Sequence, residues 1–259
     1  MLINPYGTGI REQLFNNQIC STMDKCFVSF CDDKMANYHI VYTKKEMLKK
    51  FVDSKILIVG AGPSTNSVNF DPFDYDSIWS MNHFYKSDIM KNIKLDLVSI
   101  GPENNLHDPE LISYLTRFRP FVGFEMRERW KRPYEAFYVN KFSKQNNCFA
   151  YETRFLGKTG VGARLTILAS YLGASEIHIL GFDGPQYQSK GEHSFEPGKT
   201  NLPAGCTIDN IDKAVRIHKE HYDYLWSFLR KQFPNTEYKN IGFESLYHEL
   251  IKGDNHDNI

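Results

Sequence analysis

Lys55-Ile-Leu-Ile-Val59-Gly60-Ala-Gly62-Pro-Ser64 decides the fold of this chain. Its first half is a β-rich apolar run without the polar alternation of a half-exposed strand, so it reads as a strand buried on both faces. Its second half stops that strand abruptly in a turn built on two glycines and a proline. Working outward, further apolar runs at 77–81, 95–100, 121–124, 176–180 and 237–241 read as strands, separated by helical or turn-rich stretches. Alternation of this kind predicts an α/β fold, a Rossmann-like and mostly parallel sheet with helices on both faces.

Two helices carry clear periodicity. Val161, Leu165, Leu168 and Leu172 recur at helical spacing ahead of Gly173, which predicts one apolar stripe starting at Thr159-Gly160. Ile211, Val215, Tyr222, Leu225 and Leu229 form a second stripe over 209–233, closed by Pro234, with Asp209 as the expected N-cap. Residues 1–54 hold a short helical pattern at 44–52 and are expected to form an N-terminal extension packed on the core. The main domain runs over 55–252, and residues 253–259 are expected to be a flexible tail.

Composition narrows the function. Of 259 residues, 41% are hydrophobic and 14% aromatic, enough for a packed core. Lys plus Arg and Asp plus Glu balance at 31 each, so no global basic field exists to hold nucleic acid, and an anionic ligand must bind locally. No apolar run approaches the ~20 residues of a membrane span, and residues 1–20 lack the order of a signal peptide. The five cysteines are odd in number and form no C-x-x-C pair, which argues against a disulfide framework or a zinc site. The expectation is a soluble cytoplasmic protein, at most peripheral at the inner membrane face.

The candidate site lies where strands end. At Gly60, Gly62, Pro63 and Ser64 backbone N–H groups can approach a phosphate, which points to a nucleotide, or to a turn needing glycine geometry alone. The third glycine of a dinucleotide fingerprint would fall at Thr65, and Asn82 stands where a ribose-binding acid would close the second strand. Thr159 and Gly160 open a helix, where a hydroxyl and free N–H groups suit a diphosphate or a carboxylate; a plain N-cap is the alternative. Asp183 follows the strand at 176–180, at another carboxyl edge. Residues 184–207 form a long polar loop containing Tyr187, Glu192 and His193, expected to be a lid that closes over the ligand. His193 is the best general-base candidate in it, whereas His178 and His218 read as packing or surface positions. Asp74-Tyr-Asp76 is the sole Asp-x-Asp, reads as surface, and leaves no metal site.

Four ordered blocks carry a resemblance: Ile58-Val-Gly-Ala-Gly-Pro-Ser64, Ser80-Met-Asn82-His-Phe84-Tyr85, Thr159-Gly-Val161 and Leu172-Gly-Ala-Ser-Glu-Ile-His-Ile-Leu-Gly-Phe-Asp183. In these the chain resembles the bacterial sialyltransferases that cap lipooligosaccharides. With Gly191-Glu-His193-Ser-Phe-Glu-Pro-Gly198 it is also similar to motility-associated flagellar glycosyltransferases and their pterin-pyrophosphokinase-like relatives.

The resemblance implies a metal-independent glycosyltransferase that takes a nucleotide sugar, CMP-linked and sialic-acid-like, and passes the sugar to a hydroxyl of an acceptor glycan. It implies a homo-oligomer and no cofactor. By the same likeness Gly60, Gly62, Pro63 and Ser64 border the nucleotide, and Asn82 touches its sugar or phosphate. Thr159 and Gly160 face the donor's phosphate or carboxylate, Asp183 holds the ribose or orders the lid, and His193 is the base. Two departures stand out: Gly101 replaces an asparagine of the sialyltransferases, and Tyr187 is the lone tyrosine of a lid that carries a pair there. The alternatives are an ATP-dependent, Mg²⁺-requiring pterin pyrophosphokinase and a non-catalytic nucleotide-binding module.

Overall fold

The computed structural model describes residues 50–101, 104–125, 147–151, 160–185, 193–196, 198, 199, 202 and 206–242. Seven parallel strands form one sheet: β1 (Lys55–Val59), β2 (Ser77–Met81), β3 (Leu97–Ser99), β4 (Phe121–Glu125), β5 (Asn147–Tyr151), β6 (Glu176–Leu180) and β7 (Glu237–Asn240). Their order across the sheet is β5-β4-β3-β2-β1-β6-β7. The chain therefore winds outward from β1 to β5, crosses back, and continues from β6 to β7 on the other side of β1. Right-handed crossovers put the connections of the two halves on opposite faces, and β1 and β6 flank the point where the winding reverses.

Burial follows from this position. Ile56, Leu57, Ile58 and Val59 of β1 are all fully buried although successive side chains point to opposite faces. Among the described residues the α-helices are α1 (Ser64–Ser67), α2 (Pro109–Phe118), α3 (Gly160–Tyr171) and α4 (Ile211–Gln232). α3 packs on β1, β2 and β6, and α4 packs on α3. The hydroxyls of Ser170 on α3 and Tyr238 on β7 meet at 2.8 Å. Residues 50–54, assigned by sequence to the extension, lead directly into the core: Phe51 is fully buried and meets Trp79 edge-on at 5.0 Å. The rest of the extension and the tail lie outside the described residues.

Several local expectations are corrected. α3 is not striped: every residue from Val161 to Ser170 is buried, because the helix lies between the sheet and α4. Asp209 does not cap α4. A 3₁₀ turn, Ile208–Asn210, precedes that helix, and Thr207 and Asn210 close a reciprocal capping box around it. The sequence reading also passed over β5 and α2. α2 has a plain start signal: Pro109 sits in its first turn, and the Asp108 side chain accepts the Glu110 N–H at 3.0 Å. No helix among the described residues is long and apolar enough to cross a membrane.

Candidate functional site

The loops after β1 and β6 meet at the winding reversal, and their glycines are what lets them meet. A Cβ on Gly60 would lie 2.6 Å from the Gly181 carbonyl oxygen, and one on Gly62 would lie 2.3 Å from Asp183 Oδ2. Gly181 is held at φ +72°, and a Cβ there would stand 2.2 Å from Thr65 Oγ1 and 2.5 Å from the Gly60 carbonyl oxygen. The turn's N–H groups are engaged within the protein. Gly60 donates to Leu180 O at 2.7 Å, Gly62 to Gly181 O at 2.8 Å, and Ser64 to Asp183 Oδ2 at 2.8 Å. The glycines of this turn thus serve loop-to-loop contact first.

Asp183 is 1% exposed. Its Oδ1 accepts the Ser64 hydroxyl at 2.6 Å while that hydroxyl accepts the Gly181 N–H at 3.1 Å. The carboxylate ties the two loops together. Phe182 lies on the first turn of α3, where a Cβ on Gly162 would come within 2.5 Å of its ring. That contact sets the start of α3 beside the same edge. Gly160 opens the helix at φ +81°, with nothing within 4 Å of where its Cβ would be.

The described residues 193–196, 198 and 199, within the segment expected to form a lid, are docked on this knot. The Ser194 N–H donates at 2.8 Å to the carbonyl of Ala61, within the glycine turn. This segment folds back on itself, His193 N–H to Lys199 O at 3.0 Å and Lys199 N–H to Glu196 O at 3.1 Å. Glu196 reaches across to the segment after β2, with Oε2 2.7 Å from His83 Nδ1 and Oε1 3.3 Å from Lys86 Nζ; it also pairs with Lys199. Burial would raise this carboxyl, but hydrogen bonds from Lys199 and His83 and the charge of His83 outweigh it and hold the group down at about 2.

His193 sits between these contacts. Its ring meets Phe195 edge-on at 5.9 Å, and its Nδ1 is buried with no hydrogen-bond partner among the described residues, as is the Ser194 hydroxyl. Burial lowers the imidazole below its ordinary 6.5, with Glu196 opposing and His83 and Lys199 adding to the effect. The ring is therefore neutral near pH 7 and able to accept a proton.

Asn82 ends β2 in the left-handed region at φ 52°. Its Oδ1 accepts the Gly101 N–H at 2.8 Å and the Asn104 side-chain amide at 3.1 Å. Asn82 and Gly101 are thus in direct contact, so the loop after β3 is bonded to the segment that carries His83. Thr159 and Tyr187 lie outside the described residues, as does most of the expected lid. Sequence reasoning missed His83, Glu196 and Asn104 as members of this edge. His83 and Glu196 fall inside blocks that the resemblance quotes, whereas Asn104 has no local signal. Among the described residues no group of three or more His, Cys, Asp or Glu side chains could hold a metal ion.

The linkage of Glu196 gives a test of the docking. With its pKa lowered from 4.5 to about 2, the stabilising contact is complete above 4.5 and is lost as pH falls through about 2. Glu196→Gln removes the charge at all pH values. The expected result at pH 7 is severalfold faster protease nicking within 184–207 with little change in melting temperature, since the contact is peripheral to the core. Unchanged nicking would show that the Ser194 to Ala61 bond holds the segment unaided.

No family model matches the sequence, and no curated protein matches it. Among solved structures the chain is similar to the monofunctional alpha-2,3-sialyltransferase Cst-I from Campylobacter jejuni. That match has 16% sequence identity and a TM-score of 0.49, and covers 80% of this chain and 86% of that chain.

Proposed function

We propose that the protein is a glycosyltransferase that binds a nucleotide sugar, CMP-linked and sialic-acid-like, at the carboxyl edge around β1, β2 and β6, and transfers the sugar to an acceptor hydroxyl. The observation that carries this reading is the buried, neutral imidazole of His193, its Nδ1 without a partner, docked over the loops at the winding reversal. Ligands of open α/β sheets bind at such a point. Of the four sequence blocks that resemble sialyltransferases, two run into these loops, a third follows β2 and the fourth opens α3, which supports the choice of substrate class.

In the proposed reaction the acceptor oxygen attacks the anomeric carbon of the sugar. His193 accepts the acceptor proton as the new bond forms, and the carbon–oxygen bond to phosphate breaks with its electron pair leaving on CMP. The N–H groups at the start of α3, with Thr159 and Gly160, stabilise the negative charge on the departing phosphate, and no metal is required. Gly60, Gly62 and Ser64 shape the floor under the nucleotide through their contact with Gly181 and Asp183, with Pro63 between them in the turn. Asn82 meets the nucleotide's sugar or phosphate, Tyr187 closes from the lid, and Asp183 is a positioning residue rather than a proton carrier.

A thermal-shift series with CMP, UDP, GDP and ATP, each with and without Mg²⁺, tests the ligand class. Ligand at about 100 times its Kd stabilises the folded state by ~2.7 kcal/mol. CMP is expected to give the largest shift, equally in EDTA. A shift confined to ATP with Mg²⁺ would replace this reading with pyrophosphoryl transfer.

A further inference from the structure

We propose that Asn104 is a specificity-determining residue, its side-chain oxygen accepting a hydrogen bond from an N–H or O–H group of the bound ligand. The proposal rests on the nucleotide-sugar reading for the identity of that ligand, and on the geometry of the loop after β3 for everything else.

Asn104 is 9% exposed, and its backbone N–H closes a turn on the Gly101 carbonyl at 3.1 Å. Its side-chain nitrogen has two protons, and both have acceptors: Asn82 Oδ1 at 3.1 Å and Gly101 O at 3.1 Å. Asn82 Oδ1 in turn receives the Gly101 N–H at 2.8 Å. This network leaves neither amide a choice of orientation. Turning Asn104 would set its oxygen against two acceptors, and turning Asn82 would set its nitrogen against two donors.

What remains is Asn104 Oδ1, buried and without a partner among the described residues. Buried polar atoms are almost always paired, and one left open calls for an explanation. A second observation sits beside it. Asn82, the residue that fixes Asn104, is held at φ 52°, with its N–H on the Ser99 carbonyl at 2.7 Å. Non-glycine residues in that region cluster at ligand-binding positions. A fixed, desolvated acceptor at the carboxyl edge is suited to reading one donor.

The chemistry of the nucleotide narrows that donor: at neutral pH the phosphate of CMP carries no proton to give, so the group is a ribose hydroxyl or the amine of the base. Isothermal titration of CMP, 2′-deoxy-CMP, 3′-deoxy-CMP and UMP, with wild type and with Asn104→Ala, separates these. The variant is expected to bind CMP about tenfold more weakly, the worth of one hydrogen bond. For the analogue that lacks the recognised group, the difference between wild type and variant is expected to vanish, because there is then no bond to lose.

Comparing ligands on the same variant protein removes any general effect of the substitution on the loop. Equal weakening for all four ligands would overturn the proposal and make Asn104 structural, as would unchanged CMP binding. In both cases wild-type binding of CMP leaves the nucleotide reading standing. A wild type that binds none of the four would overturn both.

Discussion

His193→Ala is expected to lower the rate of sugar transfer by ~10² to 10⁴ while leaving nucleotide binding nearly intact, the range general-base removal gives elsewhere. The expectation follows from the neutral, buried ring and from the engagement of its neighbours. Glu196 is held ionised at about 2 by His83, Lys86 and Lys199, and Asp183 is taken up by Ser64. Glu196 is therefore not poised to accept a proton near neutrality, and both oxygens of Asp183 are already engaged by Ser64.

The sign of the pH effect is fixed as well. The base works only when neutral, so kcat/KM should fall about tenfold per pH unit below the His193 pKa and level off above it. Because burial lowers that pKa, the midpoint should lie below 6.5. His193→Asn separates catalysis from lid docking, since it keeps a polar group of similar reach. It should be as inactive as the alanine variant, and an active asparagine variant would assign His193 to docking.

The second large effect falls on stability. Gly181→Ala should destabilise the fold by ~2–5 kcal/mol. The left-handed conformation at φ +72° costs a side chain ~1–2 kcal/mol, and crowding against fixed neighbours adds ~1–3 kcal/mol. The atoms in the way are Thr65 Oγ1 and backbone atoms of Gly60, which cannot swing aside as a long side chain does. A denaturant midpoint equal to that of wild type would contradict the described crossing of the two loops. Gly62→Ala probes the same crossing from the other side, where the Asp183 carboxylate stands.

These glycines show what was legible in the sequence and what was not. The apolar run at 55–59 and its glycine turn point to a buried strand at a sheet's carboxyl edge, and β1 is that strand. The reason for the glycines was beyond reach, because the Gly181 carbonyl and Asp183 come from more than a hundred residues away and only the fold brings them together. Asn104 was hidden for the same reason, since its partner Asn82 belongs to another strand end. β5 was missed because its residues, Asn147 to Tyr151, lack the β-branched run that marks a central strand. α3 was read as striped because leucine spacing reports one face, and small residues such as Gly162, Ala163 and Ala169 bury the others without a pattern.

The most direct test of the central claim is the release of CMP from a CMP-linked nonulosonate, followed with and without an acceptor glycan and in the presence of EDTA. The account predicts release that depends on the acceptor, persists in EDTA, and is matched mole for mole by sugar appearing on the acceptor. Absence of release from the CMP-linked donor, together with Mg²⁺-dependent turnover of ATP, would contradict it.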